Sequence, residues 1–317
     1  MIDDHWISSS AAEEVTVDAE PPRPDASEIG VATESHDVDD IAHVVCFYVL
    51  GDPQVGYAHQ ERRMRRKVAQ IRRSVRVSER RMKTICLIPG DLTHHGTATG
   101  NFWTRLLCMC APVREARGET VPKQNQLACF RKECLDPLRS CCGNVYMCIG
   151  NHDTLNTYWT GKQEVPDFVR AQHGGNLVYA NEDDSSVLVI SLSEYPTREN
   201  VQWMEKELSD PLYARKPFVV FFHYNLEGPY SDWWGEADKA MLGSVLRPRA
   251  DRCAFIAVGH HHFSDSTGMW NGIHVVNGSG DNAVKVDVTL TKNNNNNNEN
   301  EILDVQTTLL HDDIKSV

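Results

Sequence analysis

Five apolar segments of this chain end in the same way. They read "HVVCFYVLGD" (43–52), "TICLIPGD" (84–91), "VYMCIGNHD" (145–153), "FVVFFHY" (218–224) and "AFIAVGHHH" (254–262). Each is a nearly continuous run of Val, Ile, Phe and Tyr that leads straight into Asp, Asn or His. A run apolar on both faces predicts a strand covered on both sides, as in a layered α/β protein. Four of the five place Gly directly before the polar residue, which predicts a tight turn where the backbone leaves the sheet. Ligands of open α/β sheets bind beyond the carboxyl ends of the strands. Here those ends deliver Asp52, Asp91, Asn151, His223, His260 and His262. One such residue alone is a solvated loop group or a satisfied core histidine. Six at equivalent structural positions point to one site.

The formal charge of −12 is misleading about the folded body. Residues 1–40 contain twelve Asp/Glu and one Arg, so they carry −11, and the other 277 residues sum to about −1. With few large apolar residues and no period, residues 1–40 read as an acidic disordered tail. The start of the chain is neither a secretory signal nor a mitochondrial presequence. No segment reaches the about 18 uninterrupted apolar residues of a membrane span. Cys46, Cys86, Cys148 and Cys253 lie inside apolar runs, where thiols act as small core residues. A reducing, cytoplasmic setting follows. Cys108, Cys110, Cys129, Cys134, Cys141 and Cys142 have no paired knuckle spacing for zinc and read as helix-packing thiols.

The ordered set "GDPQ", "GDLTHHG", "GNHD", the His of "FFHYN" and "GHHH" resembles the calcineurin-like metallophosphoesterase superfamily over residues 44–262. The resemblance implies a four-layer α-β-β-α sandwich of two mixed β-sheets with a dinuclear metal centre at the strand ends. Carried over position by position, Asp91 bridges the metals. Asp52, Gln54 and His262 hold the first, and Asn151, His223 and His260 the second. His152 assists the leaving oxygen as general acid, with Asp153 orienting its ring. Two divalent ions about 3.5–4 Å apart can activate water and neutralise a transferring phosphoryl group. Mn, Fe, Mg and Zn all suit such a site.

The implied activity is metal-dependent phosphoric ester hydrolysis, most simply of a monoester, by direct attack of a metal-bound hydroxide without a phospho-enzyme. A phosphodiesterase acting on a cyclic nucleotide, nucleic acid or lipid headgroup is the alternative, and a decayed binding module of the same fold is a third. The chain lacks the Gly-Asp-x-x-Asp-Arg-Gly pattern of the calcineurin-type protein phosphatases. His94 stands where purple acid phosphatases carry tyrosine. The Asp-Pro-Gln opening is similar to a smaller subgroup of calcineurin-like phosphoesterase-domain proteins. It places an amide at Gln54 where an imidazole is usual, which favours Mn²⁺ or Mg²⁺ over Zn²⁺ at the first metal.

Substrate selection falls to loops. Tyr230 and Trp233, in "NLEGPYSDWWGEADKAML", are candidates for an aromatic wall, whereas Trp234 reads as helix packing. His94 and His95, beside the second motif, are candidates either to contact phosphate or to support a neighbouring site residue. Tyr57 and His59, past the first motif, are further candidates of the same kind for a phosphorylated small molecule or phosphoprotein. Residues 61–83 carry eleven Lys/Arg, with Met64, Val68, Ile71, Val75 and Met82 at helical spacing. They predict an amphipathic helix with a basic, solvated outer face, open in principle to an anionic surface or nucleic acid.

Residues 41–317 read as one domain. It has a helical insertion at about 101–143, a helix at "VPDFVRAQHG" and a hairpin in "NLVYANEDDSSVLVISL". "GIHVVNGSG", "AVKVDVTLT" and "EILDVQTTLL" predict strands closing the second sheet. An Asn-rich loop, 293–300, joins the last two.

Overall fold

The computed structural model describes residues 43–77, 83–96, 126–182, 187–262, 266–293 and 299–312. The acidic tail, most of the Asn run, Cys108, Cys110 and Met82 lie outside them.

The first sheet is built on β1 (His43–Val49), β2 (Lys83–Ile88) and β3 (Asn144–Met147), all parallel. Antiparallel β10 (Val284–Asn293) and β11 (Glu299–Leu309) extend it beyond β1, in the order β11-β10-β1-β2-β3. The second sheet has the order β4-β5-β6-β7-β9-β8. Its strands are β4 (Val178–Glu182), β5 (Leu188–Leu192), β6 (Phe218–Phe221), β7 (Cys253–Val258), β8 (Ser266–Trp270) and β9 (Ile273–Asn277). β5, β6, β7 and β9 run parallel, while β4 and β8 are antiparallel edges.

The alternation along β1 shows how the layers form. Val45, Phe47 and Val49 point between the sheets and meet Val219, Phe221 and Phe255 of the other sheet. Phe47 and Phe255 make an edge-to-face contact at 5.2 Å. Cys46, Tyr48 and Leu50 point the other way, onto Met64 and Ile71 of helix α1 (Ala58–Val77) and Phe130 of α2 (Gln126–Phe130). On the far side, Leu188, Ile190 and Ile256 pack against α6 (Arg198–Ser209) and α7 (Glu236–Leu246). The result is the α-β-β-α sandwich, and it explains why β1, β2, β3, β6 and β7 are apolar throughout: both of their faces are covered.

Between them, α2 continues through a π turn at Arg131–Leu135 into α3 (Asp136–Arg139). Helices α4 (Asn151–Thr160) and α5 (Glu164–Gln172) follow β3, and β4–β5 is the expected hairpin.

Two expectations are corrected. β10 and β11 join the first sheet, not the second. Alternating patterns announce a strand but not its neighbour, and the register is set by β10 Val286 and Val288 entering the inter-sheet core beside Phe47. Helix α1 ends at Val77 and Lys83 already belongs to β2, so the basic helix does not reach residue 83. Strand β8, largely exposed, has no counterpart in the sequence reading.

Candidate metal centre

Both sheets bring the carboxyl ends of their parallel strands to one place. Asp52 follows β1, Asp91 follows β2, Asn151 and His152 open α4 after β3, His223 follows β6, and His260 and His262 follow β7. The backbone there is unusual. Asp52, Gln54, Asp91 and His260 all have positive φ (53, 38, 53 and 70°). Such strain in residues with a Cβ persists only where surrounding contacts enforce it, and it concentrates at functional sites.

The glycines serve that crowding. Gly90 does turn with φ 79°, as expected, but Gly150 is extended, with φ −122°. A Cβ on Gly150 would fall inside the Asp91 carboxylate. Close approach, and not the turn, is what demands glycine at that position.

The donors fall into two groups around Asp91. On one side, Asp52 Oδ1 lies 2.9 Å from His262 Nε2, and the Gln54 amide sits 2.8 Å from Asp91 Oδ2 and 3.3 Å from His262 Nε2. The liganding atoms of Asp52, Asp91 and His262 all lie within 4.8 Å of one another. On the other side, Asn151 Oδ1 is 3.0 Å from His223 Nε2 and 3.1 Å from His260 Nδ1, and the two imidazole nitrogens are 3.2 Å apart. Asp91 Oδ1 reaches this group at 3.4 Å from His223 Nε2. One carboxylate thus faces both groups with different oxygens.

Residues outside the motifs orient these donors. Asp52 Oδ2 accepts from Ser279 Oγ and, at 2.9 Å, from the His260 N–H, leaving Oδ1 for the cluster. His223 Nδ1 is 2.9 Å from the Pro89 carbonyl, so it carries the proton and Nε2 offers a lone pair. Gln60 lies 2.9 Å from His262 Nδ1 through Nε2, while its Oε1 is buried with no partner among the described residues. A half-turn of that amide would let Gln60 Oε1 accept from His262 Nδ1–H and leave the lone pair of His262 Nε2 as the ligand. A half-turn of Gln54 would likewise aim its oxygen at the cluster. Two carboxylates, two carboxamide oxygens and three imidazoles are a fitting donor set for two divalent cations. That set is the one expected from the sequence.

The electrostatics follow from crowding. Burial alone would raise the Asp52 carboxyl, but His262, His223 and the Ser279 hydroxyl outweigh it and hold it below the usual range. Burial would lower His223, but Asp91 and Asp52 more than reverse this and raise it. His260 is pushed down to about 4 by burial and by His223.

The Asp153 expectation is corrected. Its carboxylate is fully buried and accepts from the N–H groups of Leu92 (3.0 Å), Thr93 (2.9 Å) and Gly150 (3.0 Å) and from Thr93 Oγ1 (3.1 Å). Burial and the Asp91 charge push it up to about 7. It ties the loop after β2 to the start of α4. The His152 ring is held instead by the His94 carbonyl, 2.9 Å from Nδ1, and by stacking on the His94 ring at 4.9 Å. Tyr57 also stacks on His94, at 5.1 Å, and His95 packs against His94 at 4.5 Å. These three residues therefore buttress His152 in the structure. Across the site, Tyr230 and Trp233 stand exposed beside His260, at 5.7 and 4.5 Å, whereas Trp234 is buried and donates to the Asn225 carbonyl at 2.8 Å.

Ser279, Gln60 and Lys67 went unrecognised in the sequence. Ser279 sits in "NGSG", which resembles any turn. Gln60 and Lys67 did leave a trace: they lie four before and three after Met64, on the stripe that α1 buries.

A profile of the calcineurin-like phosphoesterases matches residues 47–264. The chain belongs to that family. The family's strand-end motifs are assembled at one edge of its two sheets. Among solved structures, it is similar to a putative 5'-nucleotidase from Staphylococcus aureus (TM-score 0.49, 14% identity). That match covers 85% of this chain and 55% of the other, so the chain spans about half of that protein. It is also similar to a dimetal phosphatase from Danio rerio (TM-score 0.48, 13% identity, 84% and 99% covered). A 5'-nucleotidase from Candida albicans matches at TM-score 0.44 and 13% identity, with 76% and 46% covered. No curated protein matches the chain in sequence. No described helix is long and apolar enough to cross a membrane.

Proposed function

We infer that this phosphoesterase is a phosphomonoesterase. Asp52, Gln54, Asp91 and His262 would hold one divalent cation, and Asp91, Asn151, His223 and His260 the other. Bound there, the two ions supply Lewis acidity and four positive charges against the two carboxylates. The excess of two is shared between the phosphate ester and the attacking hydroxide. The reading rests on the strand-end donors gathered around Asp91, and a monoester is its simplest substrate.

The chain's own groups do the rest. His152, fixed through Nδ1 by the His94 carbonyl and flat against the His94 ring, presents Nε2 for proton delivery to one leaving oxygen. Asp153 keeps the Asp91 loop and the α4 start in register, so His152 and Asn151 stay placed relative to Asp91. The amide of Gln54 is a weaker donor than imidazole to transition metals, which supports Mn²⁺ or Mg²⁺ at the first position.

A panel of phosphomonoesters and diesters, assayed with Mn²⁺, Mg²⁺, Zn²⁺ and Fe²⁺ on wild type and His152→Ala, tests this. Monoesters should be preferred, and the variant should lose roughly 10²–10⁴-fold in kcat. Faster turnover of diesters would overturn the monoester reading, and unchanged kcat in the variant would remove His152 from the chemistry.

A further inference from the structure

The segment between β6 and α7 carries two large aromatics that the packing of the fold does not require. Tyr230, 42% exposed, immediately precedes a short 3₁₀ turn, Ser231–Trp233, that has no buried residue and ends on Trp233, 51% exposed. Exposed tryptophan is uncommon, and here it stands with its ring centroid 4.5 Å from that of His260. The two rings meet at 90° with centroids 6.1 Å apart, so together they form a right-angled corner over the second donor group.

The corner is built on a fixed base. Trp234 is buried, packs edge-on against Phe222 at 5.8 Å and donates to the Asn225 carbonyl. Asn225 Nδ2 in turn donates to the Pro229 carbonyl at 3.2 Å, closing the loop on itself. Tyr224 supports Trp233 edge-on at 5.8 Å and is itself stacked on Tyr195 and bonded to Glu194. Tyr230 is held in the left-handed region (φ 63°, ψ 10°), where a bulky residue is strained. Its ring lies beside those of His260 and His261, at 5.7 and 6.2 Å. A polar residue or glycine would occupy an exposed loop at lower conformational cost, so the ring itself is what the position supplies.

Resting on the phosphoesterase reading, we propose that Tyr230 and Trp233 form a subsite for a flat aromatic or heteroaromatic group carried by the leaving alcohol of the substrate. A ring lying flat on one side chain meets the other edge-on, which is the favoured arrangement for both contacts. The selected substrates are aryl phosphates or nucleotides, in preference to phosphorylated polyols and sugars. The loop selects the group attached to the phosphate, while the strand-end residues act on the phosphate itself.

The test compares kcat/KM for glycerol phosphate, tyrosine phosphate and a nucleoside 5'-monophosphate on the Mn²⁺-loaded full chain. Wild type should favour at least one ring-bearing ester by about tenfold or more, and which one separates an aryl from a nucleotide substrate. Trp233→Ala, and Tyr230→Gly, which keeps the left-handed backbone, should each reduce turnover of the ring-bearing ester about tenfold more than that of glycerol phosphate. Equal losses on all three esters would mean that Trp233 merely covers His260 and would overturn the subsite. Glycerol phosphate hydrolysed without any ring preference would also overturn it while leaving the phosphoesterase reading intact. Calorimetric binding of the same esters handles the remaining case. Ring-dependent binding without hydrolysis of any ester keeps the subsite and removes the enzymatic reading, and absence of both binding and hydrolysis removes both.

Discussion

Replacing Lys67 with methionine should loosen the loops that carry the first metal group. Lys67 sits on the basic helix yet is only 1% exposed, and its Nζ donates to the carbonyls of Gly51 (3.0 Å) and Gly278 (2.7 Å). Each carbonyl directly precedes a site residue, Asp52 and Ser279, whose side chains bond to one another. Methionine nearly preserves the volume and removes the donor. Gly278 O keeps the Gly51 N–H at 2.8 Å, but Gly51 O loses the ammonium. An orphaned buried carbonyl costs about 1–3 kcal/mol, and a charge-assisted bond contributes about 1.5–3 kcal/mol. Relief from burying the ammonium offsets part of this. The net destabilisation expected is about 2–4 kcal/mol, or a fall in Tm of about 5–15 °C at about 2–4 °C per kcal/mol. Thermal unfolding followed by circular dichroism measures the first effect. Mn²⁺ titration measures the second, where a loss of about tenfold or more in affinity is expected from a disturbed supporting shell. A variant with wild-type Tm and wild-type Mn²⁺ affinity would refute the idea that this cation organises the site from below.

Three further outcomes are expected. Gln54→His should tighten one of two metal sites and shift preference toward Zn²⁺, and unchanged affinity at both sites would mean Gln54 is not a ligand. Ser279→Ala removes a donor from Asp52 Oδ2 and should weaken metal binding roughly 10–100-fold with little change in fold, as read by calorimetry and circular dichroism. His173, stacked on Tyr179 at 4.3 Å, is pushed down to about 4 by burial and the Arg139 charge. The native state resists protonation there while the unfolded chain accepts it near pH 6.5, so stability falls as pH drops from about 6.5 to about 4, by at most about 3 kcal/mol. Urea denaturation of His173→Phe should show a flatter acid limb than wild type. An equally steep limb would show that another group controls it.

The sequence by itself determined where the chemistry sits. Runs such as "TICLIPGD" are short, apolar on both faces and abruptly polar at the end, so they state both the layered architecture and the edge at which side chains emerge. That information is local, because a strand's burial and its exit are written in consecutive residues. The tertiary structure decided everything that depends on partners distant along the chain. It assigned β10 and β11 to the first sheet, because apolar alternation is blind to which neighbour supplies the hydrogen bonds. It turned Asp153 from a presumed partner of His152 into the clasp between the Asp91 loop and α4, since four donors converge on its carboxylate and the His94 carbonyl already holds the ring. It also drew Lys67 out of a helix whose charges read as solvated and placed it beneath Asp52, more than two hundred residues from its second partner, Gly278. A sequence records which groups are present. Only the packed fold determines which of them must satisfy one another once water is gone.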